Sequence, residues 1–122
     1  MQLLLYTVPT EAPRNVSVTV TSYHSIMLEW ERPSPEQENG LLVQYHVIVI
    51  ETQIHYFNNG TEITGEQTYL NTTYNVSEGR IQLIDSLHPD YSYTVRIAAA
   101  TEPGIGPFSD SITVRTNMDG EF

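Results

Sequence analysis

Residues 87–99 read LHPDYSYTVRIAA, a turn followed by a strand. Proline fixes the backbone φ angle and aspartate accepts turn conformations, so the triplet His-Pro-Asp predicts a sharp change of direction. From Tyr93 to Ala99 every second residue is apolar. Because successive side chains of a strand point to opposite faces, this alternation predicts a strand with one face against a core.

The same alternation recurs along the chain and predicts further strands. Clusters of Gly, Pro, Asn and Ser separate the runs, as turns do. No window of about 11 residues keeps the roughly 3.6-residue apolar period of a helix, so helix is excluded as a major component. Several short strands with regular turns predict an antiparallel sandwich. The apolar positions of these strands are Val16, Val18, Val20, Ile26, Leu28, Trp30, Tyr45, Val47, Val49, Ile112 and Val114.

The run from Arg80 to Asp85 leaves two alternatives open. Ile81 and Leu83 share one face of a strand here, and Ile84 occupies the other face. Either a bulge changes the register within this run, or the strand is covered on both faces. Alternation alone does not decide between them.

Composition limits the partners and the chemistry. The 122-residue chain has one domain's length and carries 15 carboxylates against five arginines, for a net charge of -10. Such a surface repels nucleic acid and anionic membranes. The chain has no cysteine, which excludes thiolate zinc sites and thiol catalysis. No apolar run approaches the roughly 20 residues of a membrane-spanning helix, and Met1 to Leu5 lacks the basic region of a signal peptide. We therefore expect no nucleic-acid partner and no direct membrane insertion by this domain.

Taken in order, these elements resemble a fibronectin type III domain. The stretch around Trp30 is similar to the second strand of that family, and Asn39 to Val47 is similar to the entry of its third. Residues 87–99 resemble its tyrosine corner and sixth strand, and residues 104–109 resemble its last hairpin. The resemblance implies an all-β, immunoglobulin-like, two-sheet Greek-key sandwich of seven strands.

The resemblance also implies a domain organisation and a core. The expected domain covers residues 9–116, with residues 1–8 as a linker or the edge of a preceding domain and residues 117–122 as a C-terminal linker. Trp30 should fill the space between the sheets, and the hydroxyl of Tyr93 should bond a backbone group near Leu87. The expected structural core comprises Trp30, Tyr45, Val47, Leu87, Pro89, Tyr93, Val95 and Ile97.

The region between the third and fifth strands is enlarged. Between Tyr45 and Leu87 the chain has about ten residues more than is typical of the family, and most loops are far shorter than such an excess. The surplus falls in Ile54–Glu78. One alternative is an extra hairpin that folds back and covers Ile48 and Ile50, which face away from the core. The other is a long, mobile loop shielded by glycans.

Acceptor triplets for N-linked glycans bear on the compartment. Seven asparagines and 23 serines plus threonines would give about 1.3 such triplets by chance, and the chain has four. Together with the absence of lysine, this excess predicts an extracellular polypeptide. The alternative is an acidic cytosolic β domain with accidental triplets. The acceptors are Asn15, Asn59, Asn71 and Asn75.

Motifs for catalysis, metals and cofactors are weak. The sequence 104-GIGPFS-109 lacks the third glycine of a phosphate-binding loop, and Pro107 removes an amide donor. The carboxylate clusters Glu36-x-Glu38 and Asp119-x-Glu121 have no oxygen-rich loop of fixed spacing for calcium. The four histidines lack zinc-ligand spacing and are His24, His46, His55 and His88. We expect no catalytic residue, no metal site and no cofactor.

These observations predict a non-catalytic extracellular module of a larger cell-surface receptor or adhesion protein, acting as a spacer and a protein-interaction surface. The segment 8–13 and the glycan acceptors are similar to repeats of receptor-type protein tyrosine phosphatases, with type Q as the narrower resemblance. That resemblance implies a single-pass membrane protein whose phosphatase domain is separate and cytoplasmic. The expected partners are adjacent fibronectin type III repeats of the same chain and an unidentified extracellular protein.

Two other functions remain as alternatives. The first is a ligand-binding module that uses the acidic face and the insert Ile54–Glu78, with salt-dependent binding lost when Glu62, Glu66 and Glu78 become glutamine. The second is a small carbohydrate-active enzyme, which requires two carboxylates facing each other across a cleft.

Overall fold

The computed structural model describes residues 7–57 and 60–118, and it describes the side chains of all these residues except 54–57 and 61–64. Two short helical turns are present, α1 at Pro35–Glu38 and a 3-10 turn at Val76–Glu78. The rest of the regular structure is β. The strands are β1 Arg14–Ser22, β2 Ser25–Glu31, β3 Leu42–Phe57, β4 Gly60–Asn75, β5 Ile81–Ile84, β6 Ser92–Thr101, β7 Gly104–Phe108 and β8 Ile112–Arg115.

The strands form two antiparallel sheets. One sheet has the order β1-β2-β5, and the other has the order β4-β3-β6-β7, with β8 also paired to β6. The predicted two-sheet sandwich is therefore confirmed. The described residues contain eight strands instead of seven, because the last strand is interrupted between β7 and β8. Ser109 replaces the missing ladder there, since its N–H donates to the Ile97 carbonyl at 2.8 Å and its Oγ accepts from the Ile97 N–H at 3.1 Å.

The space between the sheets is filled with aromatic and aliphatic side chains. Seven of the eight expected core residues are buried, and Pro89 is only half-buried. Pro89 lies in the turn between β5 and β6, outside the buried cluster. The buried side chains are Ile26, Leu28, Trp30, Leu42, Tyr45, Val47, Val49, Ile84, Leu87, Tyr93, Val95, Ile97 and Ala99.

The register of β5 answers the question left open by its sequence. Ile84 pairs with Ile26 of β2 and is buried. Ile81 and Leu83 point outward and are 61% and 59% exposed. The strand therefore pairs regularly with β2, with neither a bulge nor a cover on its second face, and it leaves two apolar side chains in solvent.

The enlarged region is a hairpin, and the long-loop alternative is wrong for the described residues. β3 and β4 are each 16 residues long and pair along their length, so the surplus lengthens two strands of the five-stranded sheet. Thr52 is the last residue of β3 that pairs with β6. Beyond Thr52 the hairpin continues past the end of β6.

The expected covering of Ile48 and Ile50 is also wrong. Their partners on β4 are Asn71 and Thr68, which lie beside them in the same sheet. Both isoleucines remain half-buried on the outer face of that sheet. The reason is that the surplus residues extend the hairpin along the strand direction instead of turning back over the sheet.

The entry and the exit of the chain lie at opposite ends of β6. At the entry, the hydroxyl of Thr101 donates to the Thr7 carbonyl at 2.7 Å, and Thr101 is the last residue of β6. At the exit, the N–H of Thr116 donates to the Tyr91 carbonyl at 3.0 Å, one residue before β6 begins. Ten strand residues span about 30 Å, so Thr7 and Thr116 lie about that far apart.

Candidate functional site

A buried carboxylate lies at the exit end of the sandwich, where the β3–β4 hairpin meets the turn before β6. Glu51 is 3% exposed. Its Oε2 accepts from the Tyr93 hydroxyl at 3.1 Å and lies 3.3 Å from His88 Nδ1. Its Oε1 accepts from the side-chain amide of Gln67 on β4. A buried carboxylate needs such partners, because its desolvation is otherwise costly.

The hydroxyl of Tyr93 connects this carboxylate to the backbone. It accepts from the His88 N–H at 2.8 Å while it donates to Glu51. The predicted bond from Tyr93 to the backbone near Leu87 is confirmed. Burial raises the pKa of Tyr93 well above its usual range, and the charge of Glu51 adds to the rise. The hydroxyl therefore stays protonated and can donate at any physiological pH.

Aromatic rings surround this hydrogen-bond network. Tyr69 on β4 packs edge-on against Tyr93, with ring centroids 5.9 Å apart, and its hydroxyl donates to the Ser86 carbonyl at 2.8 Å. His88 stacks on Tyr91 at 4.7 Å. The network thus joins the hairpin, the turn before β6 and the start of β6 into one rigid unit.

A shallow groove of about 360 Å³ opens over this network. Its lining includes the carboxylates Glu51 and Glu66 and the stacked rings of His88 and Tyr91. Gln67 of β4 also lines the groove. An acidic groove with an aromatic wall suits a cationic side chain better than an anionic one.

Two of the three carboxylates of the ligand-binding alternative, Glu66 and Glu78, lie apart. Glu66 lines the groove, whereas Glu78 lies beyond the other end of β4 and accepts from the Asn75 N–H at 2.6 Å. The side chain of Glu62 lies outside the described residues. For the carbohydrate-active alternative, the nearest candidates are Glu51 and Glu66, but Glu51 is already held by three donor groups.

Trp30 belongs to a second aromatic cluster, away from the groove. It is 3% exposed and packs edge-on against Tyr45 at 5.2 Å, with Tyr74 of β4 at 6.5 Å. β4 therefore contributes a ring to both aromatic clusters, Tyr69 to the first and Tyr74 to the second. The interior that separates the clusters is aliphatic.

The glycan acceptors differ in their surroundings. Asn15 is exposed, adopts a φ of 50° and donates from its side chain to Glu31. Asn71 and Asn75 are exposed on β4, and Asn75 also caps the 3-10 turn that follows. Asn59 lies outside the described residues. Whether any of the four carries a glycan stays a prediction.

Residues considered for metals or phosphate have other roles. Glu38 is buried and forms a two-point ion pair with Arg32, with contacts of 2.9 and 3.0 Å. His24 pairs with Asp85 at 2.6 Å. Asp119-x-Glu121 and the side chain of His55 lie outside the described residues. Within the described part of the chain, no group of three or more His, Asp or Glu side chains is placed to hold a metal ion.

The glycine-rich run 104–109 forms a hairpin edge, as expected from its missing third glycine. A side chain at Gly106 would lie 2.6 Å from the Pro9 carbonyl oxygen, so this glycine allows the entering chain to cross close to β7. Gly104 adopts a φ of 157°, and a side chain there would lie 3.3 Å from Cγ1 of Val8. Both glycines therefore lie beside the entering chain.

Sequence reasoning missed Glu51. The signal was present, because Glu51 continues the inward phase of Tyr45, Val47 and Val49 along β3. A carboxylate in the core phase of a strand predicts either a partnered buried charge or a functional group.

None of the helices in the described residues is long and apolar enough to cross a membrane.

Comparisons with known proteins agree with this geometry. The family model of the fibronectin type III domain matches residues 11–115. A protein sidekick homolog of Caenorhabditis briggsae is 32% identical over 108 residues, which cover 88% of this chain and 4% of that protein. Receptor-type tyrosine-protein phosphatase S of Gallus gallus is 32% identical over 110 residues, which cover 90% of this chain and 6% of the phosphatase. The solved third fibronectin III domain of the human KIAA0343 protein is 21% identical, with a TM-score of 0.71 over 97% of this chain and 90% of that one.

The likeness extends over one module of much longer proteins, because this chain spans only 4% and 6% of the two relatives. The resemblance to repeats of receptor-type tyrosine phosphatases is confirmed by type S, and the narrower type Q resemblance stays a prediction. On the sandwich, the tyrosine corner and the match over residues 11–115, this chain belongs to the fibronectin type III domain family.

Proposed function

We propose that this domain is a non-catalytic module in the extracellular part of a larger cell-surface receptor or adhesion protein, where it acts as a spacer between neighbouring fibronectin type III repeats. The observation that carries the proposal is the position of the chain ends. The entry is fixed at Thr101 and the exit at Tyr91, at opposite ends of β6. A module fixed in this way holds its neighbours about 30 Å apart.

Several hydrogen bonds and one ion pair hold the C-terminal exit of the domain against the turn before β6. The Thr116 hydroxyl donates to the His88 carbonyl at 2.6 Å and accepts from the Tyr91 N–H at 3.1 Å. Asp90 donates its N–H to the Asn117 carbonyl at 3.1 Å and pairs with the Arg115 guanidinium at 2.7 Å. Tension applied at the C-terminus would therefore reach the tyrosine corner directly.

The relatives support a receptor context. One of them is named a receptor-type tyrosine-protein phosphatase, and this chain corresponds to a small part of it. Any phosphatase activity of a parent protein would lie in a separate domain. We assign residues 9–116 to the module itself and the flanking residues to linkers.

Pulling on single molecules tests the spacer role. Thr116→Val removes the hydroxyl that makes two bonds at the exit. Thr113→Val on the neighbouring strand β8 is the control, because it removes only an exposed hydrogen bond to the Thr94 hydroxyl. We expect Thr116→Val to lower the unfolding force and Thr113→Val to leave it close to that of the unmodified domain. Equal forces for Thr116→Val and the unmodified domain would show that the exit contacts do not bear load.

The acidic groove supports a second candidate, the binding of a cationic segment of another protein. Its lining includes Glu51, Glu66 and the ring of Tyr91. Titration with a short arginine-rich peptide should shift the amide NMR signals of groove residues, and Glu66→Gln should weaken the effect. Glu78→Gln is the control, because Glu78 lies outside the groove. Equal loss in both variants would indicate general attraction to an acidic protein.

A further inference from the structure

A second shallow groove, of about 390 Å³, lies at the entry end of the five-stranded sheet and is called the entry groove below. Its lining includes residues of β3, β4, β6 and β7, so it crosses that sheet from one edge to the other. Its volume is in the range of small-molecule sites. The spacer role leaves this groove unexplained.

The strand pairings place four of its lining residues in one row across the sheet. Asn75 of β4 pairs with Gln44 of β3. Gln44 pairs in turn with Ala100 of β6, and Ala100 pairs with Ile105 of β7. Paired residues of antiparallel strands share a face, and three strand spacings make the row about 14 Å long. Ala100 has the smallest side chain of the four, which leaves room in the middle of the row.

The entry groove offers apolar and polar contacts side by side. Val43 and Ile105 are 37% and 42% exposed. Gln44, His46 and Glu102 also line it, and their side chains make no hydrogen bond to another described residue. A sugar ring has apolar C–H faces and hydroxyl groups at its edge, so it suits such a mixture. An uncharged sugar is also not repelled by a domain with a net charge of -10.

Asn75 is both a lining residue and an acceptor for an N-linked glycan. It is exposed and begins the acceptor triplet of residues 75–77. Its N–H donates to the Glu78 carboxylate at 2.6 Å, which fixes the backbone from which its side chain projects. Within the described residues no hydrogen bond engages its side-chain nitrogen, whereas that of Asn15 donates to Glu31.

We propose that the entry groove is the docking site of a neutral N-linked glycan carried by Asn75, whose first N-acetylglucosamine residues lie across β3 and β6 toward Ile105. The attachment point is one end of the row, so the sugar is held at a high effective concentration beside the groove. Contacts too weak to hold a free sugar can hold an attached one. The proposal rests on the proposed extracellular function, because it requires N-glycosylation of the chain.

Thermal melts of protein secreted from a glycosylating host test the docking. Ser77→Ala removes the acceptor at Asn75. Thr73→Ala removes the acceptor at Asn71 and is the matched control, because Asn71 pairs with Ile48 and is not among the lining residues. We expect Ser77→Ala to lower the melting temperature by about 3 °C or more, and Thr73→Ala to lower it less.

The same two variants made in a bacterial host carry no glycan, so their melting temperatures give the effect of the side-chain changes alone. Equal losses for Ser77→Ala and Thr73→Ala in the glycosylated protein, after that effect is subtracted, would overturn the docking. Trp30 fluorescence confirms that each variant is folded.

Ile105→Ser tests where the sugar lies. It removes the apolar end of the row, and Ile81→Ser is the control, because Ile81 is 61% exposed on β5 of the other sheet. We expect Ile105→Ser to remove most of the stability that glycosylation adds, and Ile81→Ser to keep it. Nuclear Overhauser effects should also join the acetyl methyl group of the sugar to the methyl groups of Val43 or Ile105. A gain in stability that survives Ile105→Ser unchanged would overturn the docking.

Mass spectrometry of the secreted protein distinguishes the failure of this proposal from that of the proposed function. A glycan on Asn75 that adds no stability would overturn the docking and leave the extracellular role intact. The same holds if Asn75 is unmodified while Asn71 or Asn59 carries a glycan. A secreted chain without a glycan on any acceptor would overturn the docking and contradict the expected extracellular glycosylation as well.

Discussion

Replacing Tyr93 by phenylalanine removes one hydroxyl and keeps the ring in the core. The hydroxyl makes two bonds, one from the His88 N–H at 2.8 Å and one to Glu51 at 3.1 Å. A neutral hydrogen bond contributes about 0.5–1.5 kcal/mol and one to a charged group about 1.5–3 kcal/mol. We therefore expect Tyr93→Phe to lower the free energy of unfolding by about 2–4 kcal/mol.

Urea unfolding followed by Trp30 fluorescence measures this loss. Trp30 is the only tryptophan and lies in the other aromatic cluster, so its signal reports global unfolding. Tyr91→Phe is the control, because it removes a hydroxyl from a half-buried ring that stacks on His88. A loss below about 0.5 kcal/mol for Tyr93→Phe, or an equal loss for both variants, would refute the reasoning about the corner.

Alkaline pH gives an independent check on the same residue. Because burial raises the pKa of Tyr93 in the folded state, the unfolded chain loses the Tyr93 proton first, and ionisation favours the unfolded chain once the pH passes the ordinary tyrosine pKa. The contribution of the protonated hydroxyl is fully present below about pH 10 and is lost as the pH rises through the higher folded pKa. We expect the stability difference between the unmodified domain and Tyr93→Phe to narrow in that range. A difference that widens above pH 10 would contradict the assignment.

Two further predictions concern the packing at the chain entry and the stability of the domain at acid pH. Gly106→Ala should destabilise the domain by about 1–3 kcal/mol, because the added Cβ would lie 2.6 Å from the Pro9 carbonyl oxygen. Gly65→Ala is the control, since open space surrounds the position of its Cβ, and it should change the melting temperature little. The hydrogen bond from the Ser86 N–H, and then the one with the His24 imidazole, lower the pKa of Asp85 in the folded state. The stabilising effect of Asp85 is therefore present above the ordinary aspartate pKa and is lost as the pH falls through the lower folded value. In acid titrations, the stability advantage over Asp85→Asn should shrink in that range, and an advantage that grows with acid would contradict this.

Local alternation was enough to predict the strands and their packing into a sandwich. Alternation assigned the inward phase of β3 and β6 correctly, because each strand carries three or more aliphatic or aromatic residues on one face. The bond from Tyr93 to the backbone near Leu87 came from the resemblance to the fibronectin type III family, and the His88 N–H is the group that makes it. The strand phases depend on neighbours in the chain, which a sequence shows directly.

Features that depend on distant partners were not predictable. The register of β5 is set by its pairing with β2, and a four-residue strand with isoleucine on both faces does not reveal it. The split of the last strand depends on Ser109 bonding Ile97 of another strand. The extension of β3 and β4 depends on their mutual pairing, which composition alone did not distinguish from a loop.

The sequence predicted only part of the candidate site. Glu66 was considered for its charge, but its place beside Tyr91 comes from the hairpin crossing the turn before β6. Glu51 could have been found, because it continues the buried phase of β3, yet its donors come from three separate segments. Sequence thus indicated an unusual residue, and only the fold supplied its partners.

The distance between the two chain ends tests the spacer account most directly. The chain has no cysteine, so spin labels can be placed uniquely at Val8→Cys and Met118→Cys, both of which are exposed. Pulsed electron paramagnetic resonance should give a narrow distribution centred near 30 Å, with the label lengths adding to its width. A mean distance below about 20 Å, or a distribution as broad as that of the unfolded chain, would contradict a module that holds its neighbours at opposite ends of β6.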